Sequence, residues 1–303
     1  MLNVPSIIPA GTSYVRIPRS KSAAMRLILE TVQRGSRYWA GGVIPIEKSM
    51  RLAEKFAHIY GAASSQSKRS WDKARGRANS TLVVYPEDDQ SLTPLKWWLL
   101  VTPGEGLVRK EEQLRDGWDK RQRLRWGEQY ELVHLQHDRR YGGGRHWTWR
   151  LTEQRFQEIT AAMLQFVSAH GRAPSAAIGF KTAPLMERSD DLSRLIAAIS
   201  RMPGFHGIRM QQIELYRVGR EVWDKTHRHA YEGWPIDVPY VDKRQPVYHR
   251  PQALTLDVLT QISAARQGAL DASNKGMKQL LKDPGIKAGK PDPDKSHPEG
   301  TPQ

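Results

Sequence analysis

Between residues 20 and 34 apolar positions recur every three or four residues. Ala24, Leu27, Ile28 and Thr31/Val32 share one side, Ser20 is placed to cap the start, and Gly35 ends the run, so the pattern predicts a helix. A second helix is predicted from Pro45, with Met50, Leu52, Ala53, Phe56 and Ile59/Tyr60 at helical spacing and Gly61 as its stop. From Thr81 the period changes. Thr81 to Tyr85 and Leu95 to Val101 are short, nearly continuous apolar runs bounded by Pro, Gly or charge, and read as strands covered on both sides. The adjacent Trp97 and Trp98 must then face opposite ways.

Tyr130 to Leu135 and His146 to Leu151 flank the glycine-rich stretch Asp138 to Arg145 and read as a β-hairpin, with Trp147, Trp149 and Leu151 on its core face. Residues 107–126 mix both charges at helical spacing and predict a solvated helix or helical connection. Thr152 caps a helix to about Ser168. Helical periodicity returns over Asp190 to Arg201, Gly207 to Val222 and Leu254 to Leu281. The Pro-, Gly- and Lys-rich segment after Asp283 predicts disorder.

The expected fold class is therefore α+β, a central antiparallel sheet flanked by helices. Its expected divisions are a basic helical N-terminal region (1–80), a sheet core with hairpin and helix (81–169), a mainly helical C-terminal region (190–282) and a disordered tail (283–303).

Charge adds a partner class. The 303 residues carry 47 Lys/Arg against 32 Asp/Glu, a net charge of +15, and residues 1–80 alone hold 14 Lys/Arg against 4 Asp/Glu. So basic a chain attracts polyanions, with nucleic acid the leading class and DNA favoured over RNA. Three stretches are the candidate contacts. The first is Lys68, Arg69, Lys73, Arg75 and Arg77 around Trp71; the second is Lys120, Arg121, Arg123 and Arg125; the third is Arg139, Arg140, Tyr141 and Arg145 at the hairpin tip. Cations of this density neutralise successive phosphates, while an interleaved aromatic either stacks on a base or packs into the core.

The absence of cysteine excludes disulfides, thiolate metal sites and thiol chemistry, and fits a cytoplasmic protein. No apolar stretch is long enough to span a bilayer and the first residues lack signal-peptide order, so neither a membrane partner nor export is expected. No cofactor, metal or catalytic group is assigned. His227-Arg228-His229 near Tyr231 has the local spacing of a nickase metal site, but its polar surroundings read as a loop. A metal-dependent nickase or nuclease is thus one alternative; an adaptor using its basic surface against an acidic protein is another. The oligomeric state is open.

Three segments carry a resemblance: Tyr14-Val15-Arg16-Ile17-Pro18-Arg19-Ser20-Lys21, Lys96-Trp97-Trp98-Leu99-Leu100-Val101-Thr102-Pro103-Gly104 and Trp147-Thr148-Trp149-Arg150. Over roughly residues 12–245 the chain resembles uncharacterised proteins of proteobacterial plasmids and integrative conjugative elements. The resemblance implies a role in maintaining, replicating or transferring a mobile element, and supplies no catalytic residues.

Overall fold

The computed structural model describes residues 15–87, 94–136, 144–170, 185–242, 244–248 and 254–280. The predicted disordered tail and the hairpin-tip residues Arg139, Arg140 and Tyr141 lie outside them. The fold is α+β. Its elements run α1 (Lys21–Gln33), β1 (Tyr38–Ile44), α2 (Ile46–Tyr60), α3 (Gln66–Ala74), β2 (Ser80–Pro86), β3 (Leu95–Val101), α4 (Leu107–Glu111), β4 (Arg115–Asp116), β5 (Arg125–Trp126), β6 (Tyr130–Gln136), β7 (Arg145–Leu151), α5 (Glu153–Ala169), α6 (Leu185–Ser200), α7 (His206–Thr226) and α8 (Leu256–Leu280).

Ser20 caps α1 as expected, its Oγ accepting the Ala23 N–H at 3.2 Å, and Thr152 caps α5 in the same way through Arg155. Two features depart from the sequence reading. Instead of one sheet there are two antiparallel ones, ordered β2-β3-β1-β4 and β5-β6-β7. And Tyr38–Ile44, taken for a connection between two helices, is a strand paired with β3 along its full length, from Tyr38↔Val101 to Ile44↔Leu95. Gly41 and Gly42 concealed it, because glycine weakens any local strand preference.

The four-stranded sheet is covered on both sides. Val83, Tyr85, Trp98, Leu100 and Trp39 face a core shared with α1, the second sheet, α5, α6 and α7. Val84, Leu95, Leu99 and Val101 face α2, α4 and α8. Trp97 and Trp98 do point to opposite sides, Trp98 in the first core and Trp97 against Phe56 of α2 with ring centroids 5.5 Å apart. Residues 107–126, expected to be helical, hold only the short α4 followed by turns and the two-residue strands β4 and β5. Some of the mixed charges there join tertiary ion pairs, Glu112 with Lys55, Asp116 with Arg37 and Arg123 with Glu131, rather than a solvated helix face.

Where α7 meets β7 the backbones nearly touch. A Cβ on Gly207 would lie 2.6 Å from the Trp149 carbonyl oxygen and 3.0 Å from Thr148 Cγ2. The Gly207 N–H meanwhile donates to Thr148 Oγ1 at 3.1 Å. Gly207→Ala must lift the helix from the strand, so its chemical-denaturation midpoint is expected to fall by the equivalent of about 2 kcal/mol with an unchanged slope.

Candidate nucleic-acid interface

The first basic stretch forms α3 and the turn after it. Ser65 caps the helix by accepting the Lys68 N–H at 3.3 Å, and Asp72 is its buried residue. Trp71 is not a core side chain: it is 46 % exposed, with the Arg75 guanidinium 3.6 Å from its ring centroid, Arg77 at 5.2 Å and Lys68 at 6.0 Å. Lys68 and Arg77 also flank Asp72, at 3.0 and 3.7 Å. Arg69 turns inward, donating to the Ala62 carbonyl at 2.8 Å and to Thr81 Oγ1 at 3.1 Å, which ties α3 to β2. Lys73 projects from the exposed side of the same helix.

The second stretch lies at the far margin of the sheet. β4 pairs with β1 only through Tyr38↔Asp116 and Trp39↔Arg115, and the chain then loops over the sheet to β5. Two buried indoles hold that loop. Trp39 Nε1 donates to the Gln122 carbonyl at 2.8 Å and Trp98 Nε1 to the Arg125 carbonyl at 3.1 Å. At its base Arg37 Nη2 donates to Asp116 Oδ2 at 2.6 Å, and this hydrogen bond holds the Asp116 carboxyl below its ordinary range.

Between the loop and β1 is a cleft of about 430 Å³ lined by five cations, Lys96, Arg115, Arg121, Arg123 and Arg125, and by a single carboxylate, Glu128. The cations differ in what else they do. Arg123 and Arg150 both donate to the buried Glu131 at 2.8 Å, so Arg123 chiefly joins the loop to the second sheet. Lys96 pairs with Glu87 at 3.0 Å, outside the cleft lining. Arg125 lies 4.0 Å from Glu128, an exposed pair of little energetic weight. Arg115 sits 4.8 Å from the Trp39 ring, and neither it nor Arg121 has a carboxylate partner among the described residues. Lys120 is exposed on the same loop.

The strand beneath is bare, and at Gly41 it has to be. A Cβ on Gly41 would lie 2.9 Å from the Trp97 carbonyl oxygen and 3.3 Å from both the Trp39 and Trp98 rings. One on Gly42 would lie 3.3 Å from Trp97 Nε1. Beyond Trp39, β1 has no strand partner on this side among the described residues.

At the other end of the loop Trp118 is 58 % exposed. Its ring stands 5.9 Å from Trp147 and 6.4 Å from His134, which itself stacks on Trp147 at 4.8 Å, and Arg37 lies 5.4 Å from it. Loop Asp116 to Arg125 thus carries an exposed aromatic ring at one end and a cluster of cations at the other.

The two basic stretches do not form one continuous groove. In the row Thr81–Leu100–Trp39–Arg115, α3 attaches at the first position and the loop starts from the last. Three strand spacings, about 14 Å, separate the two margins. Arg145, the described member of the third stretch, opens β7 opposite Gln136.

His227 and His229 form part of a packing cluster. His227 stacks on Trp223 at 4.0 Å and its Nε2 donates to the Val167 carbonyl at 2.8 Å, while the His229 carbonyl accepts the Trp223 indole N–H at 2.6 Å. No group of three or more His, Cys, Asp or Glu among the described residues is arranged to hold a metal ion. His170 joins this cluster, 4.9 Å from Trp223, and burial first, then the neighbouring His227 and His229, push its pKa below the ordinary value. The unfolded chain therefore takes up a proton that the folded chain resists. Stability is full above the unfolded histidine value of about 6.5 and falls as pH drops through it. The melting temperature is expected to decline between pH 7.5 and 5.5, and His170→Gln to flatten that decline in a thermal-melt series.

Sequence reasoning overlooked Arg37, Arg115 and Trp118, and gave no special place to Arg16 and Arg34. Each stands outside a basic run, and only Trp118 offered a local signal, as an aromatic after Gly117 in a charged stretch. Comparison with known proteins adds no identification: no protein-family model, curated protein or solved structure matches the chain.

Proposed function

We propose that the chain is a nucleic-acid-binding protein, with DNA its main ligand, and that the loop from Arg115 to Arg125 is its principal contact surface. The observation that carries this reading is the cleft at the β1 margin, where five cations meet one carboxylate. Arg115 and Arg121, without carboxylate partners among the described residues, are free to replace the counterions of successive phosphates, and Arg125 and Lys120 extend the track. Trp118 offers an exposed ring to an unpaired base or a sugar. The cations and Trp71 on α3 form an auxiliary surface at the opposite margin.

The high net positive charge supports the same partner, and the lack of cysteine is compatible with work in the cytoplasm. The resemblance to mobile-element proteins supports a role in maintenance, replication or transfer of such an element. Metal-dependent cleavage has less support, because His227 Nε2 is engaged with a backbone carbonyl.

Fluorescence anisotropy with labelled single- and double-stranded DNA and RNA, over a salt series, tests the reading. Affinity for DNA is expected to fall steeply and log-linearly with salt, with strands left intact in magnesium. An absence of binding at low salt would refute it. Trp118→Ala is expected to leave the melting temperature unchanged and weaken single-strand binding by about tenfold, the loss of one stacked base.

A further inference from the structure

A second cavity, distinct from the β1-margin cleft, lies between α1, α3 and the outer side of β2. Its volume is about 640 Å³, within the range of small-molecule sites. Arg16, Arg34, Arg69 and Lys73 line it together with hydroxyl and amide groups such as Thr81 and Asn79, and none of its sixteen lining residues is Asp or Glu. We propose that this cavity is a phosphoryl-binding site, which takes the phosphate of a free nucleotide or the 5′-terminal phosphate of a nucleic-acid strand.

Several observations converge on it. Four cations drawn from the N-terminal segment, the end of α1 and α3 meet in a concavity with no carboxylate among its described lining residues, an arrangement that costs folding energy through mutual repulsion. Burial and the nearby Arg34 charge both depress the Arg69 pKa, so this repulsion reaches a side chain whose hydrogen bonds fix its orientation. Arg69 Nε is buried without a hydrogen-bond partner, a donor left over once Nη1 and Nη2 are engaged. Arg34 does pair with Glu30 at 3.5 Å, but Glu30 is outside the lining and Arg34 remains largely exposed. An entering dianion relieves the repulsion and supplies acceptors for guanidinium forks, which match phosphate oxygens in pairs. Asn79 is held in position by its own donation to the Arg69 carbonyl at 2.9 Å, and Thr102 by accepting the Asn79 N–H at 2.8 Å. The rim is therefore organised before any ligand arrives.

The two sources of phosphate separate by experiment on the full chain. Isothermal titration with pyrophosphate, ATP and adenosine addresses the free nucleotide. Anisotropy with short oligonucleotides bearing a 5′-phosphate or a 5′-hydroxyl addresses the strand end. Saturable micromolar binding of ATP and pyrophosphate, with none of adenosine, supports a nucleotide site. A preference of tenfold or more for the 5′-phosphorylated strand supports a strand-end site.

The affinity for ATP and pyrophosphate is expected to weaken at least 30-fold, and the preference for the 5′-phosphorylated strand to disappear, in Arg34→Glu/Lys73→Glu, both side chains being exposed. In Arg121→Glu/Arg125→Glu the affinity for ATP and pyrophosphate and the ratio of 5′-phosphate to 5′-hydroxyl binding are expected to persist although overall strand affinity falls, so failure here and failure of the β1-margin reading are distinguishable. No saturable binding of ATP or pyrophosphate, together with equal binding of the 5′-phosphorylated and 5′-hydroxyl strands, would overturn the proposal. Binding that is unchanged in Arg34→Glu/Lys73→Glu would overturn it equally.

Discussion

Arg121→Glu/Arg125→Glu is expected to bind DNA about a hundredfold more weakly than the native chain at moderate salt, and to show a salt dependence shallower by about two phosphate contacts. The estimate rests on two charge-assisted contacts of about 1.5 kcal/mol each. Arg121 has no carboxylate partner among the described residues, and the partner of Arg125, Glu128, is almost wholly exposed. Neither substitution therefore leaves a buried charge unpaired. The melting temperature should stay near the native value, because the loop is held by its Gln122 and Arg125 carbonyls on two indole N–H groups, and both substitutions spare those. Parallel binding and thermal-melt measurements check the two halves. Loss of binding together with loss of folding would point to a structural role for these arginines.

Trp149→Ala is expected to act on the fold rather than on the interface, destabilising the chain severely. Trp149 is 0 % exposed, at the centre of the core shared by both sheets and four helices. Its Nε1 donates to the Met25 carbonyl at 2.8 Å, which joins β7 to the middle of α1. Removing the ring leaves a cavity and breaks that bond, at a cost of about 4 kcal/mol. That is a large part of the total stability of a typical domain, about 5–15 kcal/mol. Urea denaturation followed by far-UV circular dichroism reads the loss, and Trp149→Phe is expected to recover more than half of it by refilling most of the cavity.

These two sites also mark what the sequence made legible. Trp149 was readable because its face is defined locally: a strand alternates, and Leu151 falls on the same side. Helices α1 and α5 were readable for a similar reason, as their caps lie within three residues of the groups they satisfy. The loop from Asp116 to Arg125 was not. It is shaped by indole donors from Trp39 and Trp98 and by a guanidinium from Arg37, all distant in sequence, and a charge pattern cannot reveal them.

β1 was hidden for a related reason. Gly41 and Gly42 look like a break in structure, yet a Cβ on Gly41 would meet the Trp97 backbone and the Trp39 and Trp98 rings, and one on Gly42 would press on the Trp97 indole. The phosphoryl cavity is less legible still, since Arg16, Arg34 and Arg69 come from three separate segments that only the fold brings together. Trp71 shows the limit of reading an aromatic in a basic run. Whether it packs inward depends on Arg75, which stacks on it from outside the core.

The most direct test of the central claim is to map where the strand lies. Single-stranded DNA substituted with 5-bromodeoxyuridine, cross-linked by ultraviolet light and analysed by peptide mass spectrometry, should leave its main adducts on the peptide containing Trp118 and on the segment to Arg125. Adducts confined to surfaces away from this loop, such as the exposed side of α7, would contradict the assignment of the β1-margin cleft as the nucleic-acid interface.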